Sequence, residues 1–170
     1  MNLLAVAVVI STSMGEIRLE LDQKKAPVTV ANFVRYVKDR HYDRTVFHRV
    51  IKGFMIQGGG YGPRLLLKGG KLPPIRNESD NGLKNVTGSV AMARTSDPDS
   101  ATDQFFINTH DNEFLDRPPG YTVFGKVTKG MGVVRRIEKV KTETKAQHDG
   151  VPMRDVPVHS VGIRKIRVVK

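Results

Sequence analysis

The chain is predicted to be mainly β, a mostly antiparallel sheet closed into a barrel and accompanied by two α-helices. Short β-rich pieces recur between turn residues along most of its length, and only two segments carry helical periodicity. Two helices cannot supply the crossovers that so many parallel strands would need, so antiparallel pairing follows, and closure into a barrel would remove the exposed edges. With 170 residues there is material for one sizeable core and too little for two ordinary domains. Residues 1–170 are therefore expected to form a single domain.

The opening run MNLLAVAVVISTSMG reads as a folded strand, β-rich from Ala5 to Ser11, with STSMG supplying turn residues. Alternation from Glu16 to Leu21 then predicts a second strand. After Pro27, the apolar residues Val30, Phe33, Val34 and Val37 fall at helical spacing, with proline near the first turn and basic residues near the last. A second helix is expected from Met131 to about Val140, where Met131, Val134 and Ile137 recur every third residue. Between the helices, strands are expected at Thr45 to Val50, Phe54 to Gln57, Ser89 to Ala93, Gln104 to Asn108 and Val123 to Val127. A last one runs from Val161 to Val168. Tyr61 to Val86 is a long loop rich in Gly, Pro and Asn, and Lys141 to Val158 receives no assignment.

Lys and Arg total 28 against 17 Asp and Glu, a formal net charge of +11. Such a field attracts anionic partners in general, but acidic residues interrupt the basic ones, as in VRRIEKVKTETK. A solvated basic surface is the expected reading, with no specific nucleic-acid partner. The opening run lacks the basic start of a signal peptide, and no segment approaches the roughly 18 apolar residues of a membrane span. The cytoplasm is the expected compartment and the membrane is not. A mature periplasmic chain whose signal has been removed is the alternative.

Several chemistries lack their residues. Cysteine is absent, which excludes disulfides, thiolate nucleophiles and cysteine-held metals. In QGGGYGPRLLLKGGKL, Leu65 and Leu72 occupy the positions where a phosphate-binding loop needs glycine and Ser or Thr. DPDSATD begins like a calcium loop, but Ala101, Thr102 and Asn108 break the ligand pattern, so it is a turn. The five histidines, His48 among them, form no metal pair at helical spacing and are given structural or surface roles. No G-x-S-x-G elbow is present.

What remains is FHRVIKGFMIQGGG, where one arginine and one glutamine sit among large apolar residues ahead of a glycine triplet suited to close backbone approach. GSVAMARTSDPDSATDQFFINTHDNEFLD and GYTVFGKV follow in order. Together with GEIRLELDQKKAPVTVANFVRYV and NESDNGLKN, these words resemble the cyclophilin family of peptidyl-prolyl cis-trans isomerases over most of the chain. The small bacterial members are the nearest resemblance, through FMIQGGG, IRNESDNGLKN and NEFLD. The resemblance implies a closed eight-stranded antiparallel β-barrel capped by two α-helices, acting as a monomer without cofactor or metal. It also implies proline-containing polypeptides as partners and a role in assisting protein folding.

By that resemblance Arg49, Phe54 and Gln57 are catalytic, with Arg49 donating to the twisted amide. Met55, Phe106 and Leu115, beside Phe54, are implied to line a proline pocket, and Gln104 is implied to orient Arg49 or the substrate backbone. Ala93 and Arg94 match a segment whose backbone pairs with an extended peptide. Three positions depart from many relatives. Phe114 stands where eukaryotic members carry tryptophan, so cyclosporin binding is expected to be weak. Tyr121 stands near a position often held by histidine, and Arg94 replaces an asparagine, which implies a preference for acidic substrates.

The reaction suits these residues. Rotation about an X-Pro bond must break amide resonance against a barrier of roughly 18–20 kcal/mol. A hundred-thousandfold acceleration would remove roughly 7 kcal/mol of it. A charged planar fork in an apolar setting favours the twisted state over the planar one. Two other readings are a proline-binding module that holds its ligand without turning it over, and a nucleic-acid-binding barrel. Binding alone does not require Arg49. Only 6% of residues are aromatic, which argues against base stacking.

Overall fold

The structure, a computed structural model, describes residues 5–170. The reading of the opening run as strand extends over residues 1–4, which lie outside the described residues. Among the described residues, eleven strands and two α-helices run in the order β1 (Val6–Thr12), β2 (Gly15–Leu21), α1 (Pro27–Lys38), β3 (Thr45–Val46), β4 (Arg49–Ile51), β5 (Met55–Gly58) and β6 (Ser89–Met92). They continue with β7 (Phe105–Asn108), β8 (Val123–Lys129), α2 (Met131–Glu138), β9 (Thr142–Ala146), β10 (Pro152–Pro157) and β11 (Gly162–Val169).

Nine of these strands form one sheet in the order β3-β11-β1-β2-β8-β6-β7-β5-β4, with every pairing antiparallel. Its two ends, β3 and β4, are separated in sequence only by Phe47 and His48. The chain itself therefore joins one end of the sheet to the other. Counted as a single interrupted strand, β3 and β4 bring the ring to the eight strands expected. The expected strand from Thr45 to Val50 is real but broken at its middle, because its first part pairs with β11 and its second with β5.

Closure at this seam needs room. A Cβ on Gly58 of β5 would stand 2.9 Å from the Val46 carbonyl oxygen and 3.1 Å from the Phe47 ring. Glycine removes the obstruction.

β5, β6 and β7 alternate between two packed faces, as period-2 geometry allows. Ile56, Phe105, Ile107, Val90 and Met92 point into the main core with Phe33 and Phe124. Met55, Phe106 and Ala91, their chain neighbours, point outward into a second cluster with Leu115 and Val123. α1 buries Val30, Phe33 and Val37 against the barrel. α2 buries Val134 and Ile137, ending two residues before the expected limit. The unassigned segment is mainly the hairpin β9–β10, paired antiparallel with a register shift between Met153 and Val156. Its alternation is weak because β9 is half-buried or exposed throughout.

α1 begins at Pro27 and has no side-chain cap of its own. Glu78 in the long β5–β6 loop supplies one. Its carboxylate accepts from Val28 N–H at 3.3 Å, Thr29 N–H at 2.7 Å and the Thr29 hydroxyl at 2.7 Å. A negative charge at a helix N-terminus is favoured by the helix dipole as well. Glu78→Ala would leave buried donors unpaired and should lower unfolding stability by about 2–3 kcal/mol in urea titration. Glu78→Gln, which keeps an acceptor, should cost less. An Ala variant as stable as wild type would show that α1 does not rely on this cap.

Candidate active site

Strand register builds the site. Arg49 of β4 stands opposite Gln57 of β5, Gln57 opposite Phe106 of β7, and Phe106 opposite Ala91 of β6. One row thus crosses four strands on the outward face, carrying a cation, an amide, a ring and a small residue. A one-residue slip would replace it with core residues.

The polar members are linked. Arg49 donates through its guanidinium to Gln57 Oε1 at 3.3 Å, and Gln57 Nε2 donates to Gln104 Oε1 at 2.9 Å. Gln104 is held from behind, since a Cβ on Gly60 would lie 2.5 Å from its side chain. Only glycine at position 60 lets the amide lie where Gln57 meets it.

The apolar members surround a cleft of about 250 Å³ lined by Arg49, Phe54, Met55, Gln57, Ala93, Arg94, Phe106, Phe114, Leu115 and Tyr121. Ten of the eleven residues singled out from the sequence therefore meet in one cavity. Gln104 lies just outside it, in an adjoining cavity of about 220 Å³ that shares Gln57, Ala93 and Arg94 with the first. Met55, Phe106 and Leu115 are buried, while Phe114 is 52% exposed and lies flat on Phe54, with ring centroids 5.6 Å apart and planes 16° apart. Tyr121 meets Phe106 edge-on at 6.0 Å.

Arg94, expected to favour acidic substrates, has its guanidinium engaged within the protein. Its guanidinium donates to the carbonyls of Thr95 at 2.9 Å, Pro119 at 2.7 Å and Gly120 at 3.1 Å, and lies over the Tyr121 ring at 4.2 Å from its centroid. It fixes the Tyr121 loop against the cleft. The backbone N–H of Ala93 is likewise engaged, donating to the Gln104 carbonyl at 3.0 Å.

A buried amide network holds the other wall. Asn112 Nδ2 donates to the Phe54 carbonyl at 2.9 Å and to Asn108 Oδ1 at 2.7 Å, while Asn108 Nδ2 donates to Asn85 Oδ1 at 2.9 Å and Ser89 Oγ at 2.8 Å. At the β4–β5 turn, the buried Glu138 carboxylate of α2 accepts from Gly53 N–H at 3.1 Å and from Arg135 at 2.8 Å. Burial raises its pKa, but hydrogen bonds from Arg135, Thr109 and Gly53 outweigh that and hold it below the ordinary glutamate value. Arg49 thus stands on the strand leading into a turn tied down from α2, and Phe54 closes that turn.

The chain matches the model of the family described as cyclophilin type peptidyl-prolyl cis-trans isomerase/CLD over residues 7–166. This chain is a cyclophilin. It is 52% identical over 161 residues to peptidyl-prolyl cis-trans isomerase A of Dickeya dadantii, covering 93% of this chain and 84% of that one. It is 48% identical to peptidyl-prolyl cis-trans isomerase B of Escherichia coli, covering 89% and 96%. A solved Cryptosporidium parvum cyclophilin type peptidyl-prolyl cis-trans isomerase, crystallised in the presence of the dipeptide Ala-Pro, matches with a TM-score of 0.79 and 25% identity, covering 96% of this chain and 99% of that one.

One buried titratable group lies next to the cyclophilin site without lining its cleft. His48, directly before Arg49, is 4% exposed, its ring lies 4.6 Å from that of Tyr61, and its Nδ1 has no partner among the described residues. Burial first, then the neighbouring Arg49 charge, push this imidazole down to about 4, against smaller opposing effects from Asp103 and Gln104. Only its adjacency to Arg49 could have drawn attention to it.

Because the folded value lies below the ordinary 6.5, an unfolded chain binds a proton between those pH values that the folded chain refuses. Acid then favours unfolding. Stability should fall by about 3 kcal/mol as pH drops from about 6.5 to about 4. Urea midpoints of wild type and His48→Gln across this window test it, and parallel curves would contradict it.

Proposed function

We propose that Arg49 stabilises the twisted amide of a prolyl residue held in the cleft between Phe54, Met55, Phe106 and Leu115. The chain is a peptidyl-prolyl cis-trans isomerase, acts on proline-containing polypeptides and assists protein folding. The observation that carries the role of Arg49 is the row Arg49–Gln57–Gln104 along the edge of an apolar cavity. An apolar wall removes water from the ring and leaves a single orientable cation to face the amide. As resonance is lost, the prolyl nitrogen gains a localised lone pair, and a donor directed by Gln57 meets it better in the twisted state than in the planar one. The Cryptosporidium relative crystallised with Ala-Pro supports a prolyl occupant for the equivalent space.

Phe114, rather than a larger indole, supports weak cyclosporin binding. The general charge of +11 is read as a field favouring acidic clients, with no specific nucleic-acid site.

Cis-trans exchange of a tetrapeptide containing Ala-Pro, followed by NMR exchange spectroscopy, tests both parts. Wild type should accelerate exchange, and folded Arg49→Ala should lose about a hundredfold to a thousandfold in kcat/KM. Arg49→Lys should recover little, since a point charge lacks the planar fork. An Ala variant within about threefold of wild type would remove Arg49 from the mechanism. A wild-type protein that binds without accelerating exchange would leave a proline-binding module.

A further inference from the structure

The loop between β5 and β6 carries an apolar tip that the barrel does not use. Leu65 is 7% exposed, whereas the next two residues, Leu66 and Leu67, are 42% and 58% exposed. Arg64 and Leu65 both adopt left-handed backbone conformations, with φ of 60° and 56°, a region that bulky residues rarely occupy. The protrusion is held in place. Gly62 N–H donates to the Leu66 carbonyl at 2.8 Å, Leu67 pairs with Tyr61, and Lys68 N–H donates to the Gly60 carbonyl at 2.9 Å. Strain maintained by specific bonds, with two large apolar side chains left outward, is the mark of a working surface rather than of packing.

The base of this loop reaches the cavity beside the cleft. Gly60, to which Lys68 is bonded, is the residue that backs Gln104, and Gln104 lines the cavity adjoining the proline cleft. Lys71 lines that same cavity and follows Leu67 by four residues, a span of at most about 14 Å.

We propose that Leu66 and Leu67 grip a second stretch of the same unfolded client whose proline occupies the cleft, a reading that rests on the cleft being the prolyl site. The chemistry of that stretch follows from the loop. No acidic residue occurs between Gln57 and Glu78, while Arg64, Lys68, Lys71 and Arg76 all do. The stretch that fits is extended and carries an apolar side chain beside acidic ones. Holding it raises the residence of the client at the cleft without touching the twisted amide, so the gain falls on KM and not on kcat.

Two 12-residue peptides with one central Ala-Pro test this, one flanked on both sides by Leu and Glu, the other by Ser and Gln. Exchange spectroscopy is run with wild type and with the double variant Leu66→Ser, Leu67→Ser, using the Ala-Pro tetrapeptide as the internal standard. Wild type should show a KM about tenfold lower for the Leu/Glu peptide. The double variant should lose that advantage while turning over the tetrapeptide at the wild-type rate. Equal KM values for the two long peptides on wild type would overturn the proposal regardless of how the variant folds. So would an advantage that survives in the variant. Concentration-dependent dimerisation of wild type, abolished in the variant on sedimentation, would assign the tip to a second copy of the chain and overturn it too. A wild type inactive on the tetrapeptide would instead sink the prolyl reading of the cleft.

Discussion

The seam at Phe47 and His48 is the constraint on which the molecule depends. There the chain leaves its pairing with β11 and takes up pairing with β5, so one short break turns an open sheet into a ring. The first residue beyond it is Arg49. Closure and the direction of the guanidinium are thus set by the same few bonds. The glycines at positions 58 and 60 serve the two sides of this arrangement, one by admitting the Val46 carbonyl and the other by admitting the Gln104 side chain.

Much of this was legible in the sequence because it rests on local pattern. Alternation located β2 and β11, helical spacing located α1 and α2, and short apolar runs between turns located β5 to β8. The cleft was legible in a different way, through unusual words in a fixed order. Residues as distant as Arg49 and Tyr121 were named together although nothing local connects them, and the fold brings them to one cavity.

What was not legible depends on long-range partners. The cap of α1 comes from Glu78, about fifty positions after the residues it serves, and no capping pattern at Ala26 announces it. The break in the expected Thr45 to Val50 strand arises because two different neighbours compete for it, which periodicity cannot register. β9 has no buried face to impose alternation. The carbonyls that engage Arg94 belong largely to a loop some twenty-five residues away, which no local pattern announces.

The contact between Gly60 and Gln104 has a consequence for how this chain can change over generations. A side chain at 60 is obstructed while the long amide remains at 104, and a short residue at 104 abandons the bond from Gln57 before any room at 60 is of use. Neither position can drift alone. The two are bound in a single epistatic pair, and descendants that differ at one of them should be found to differ at the other.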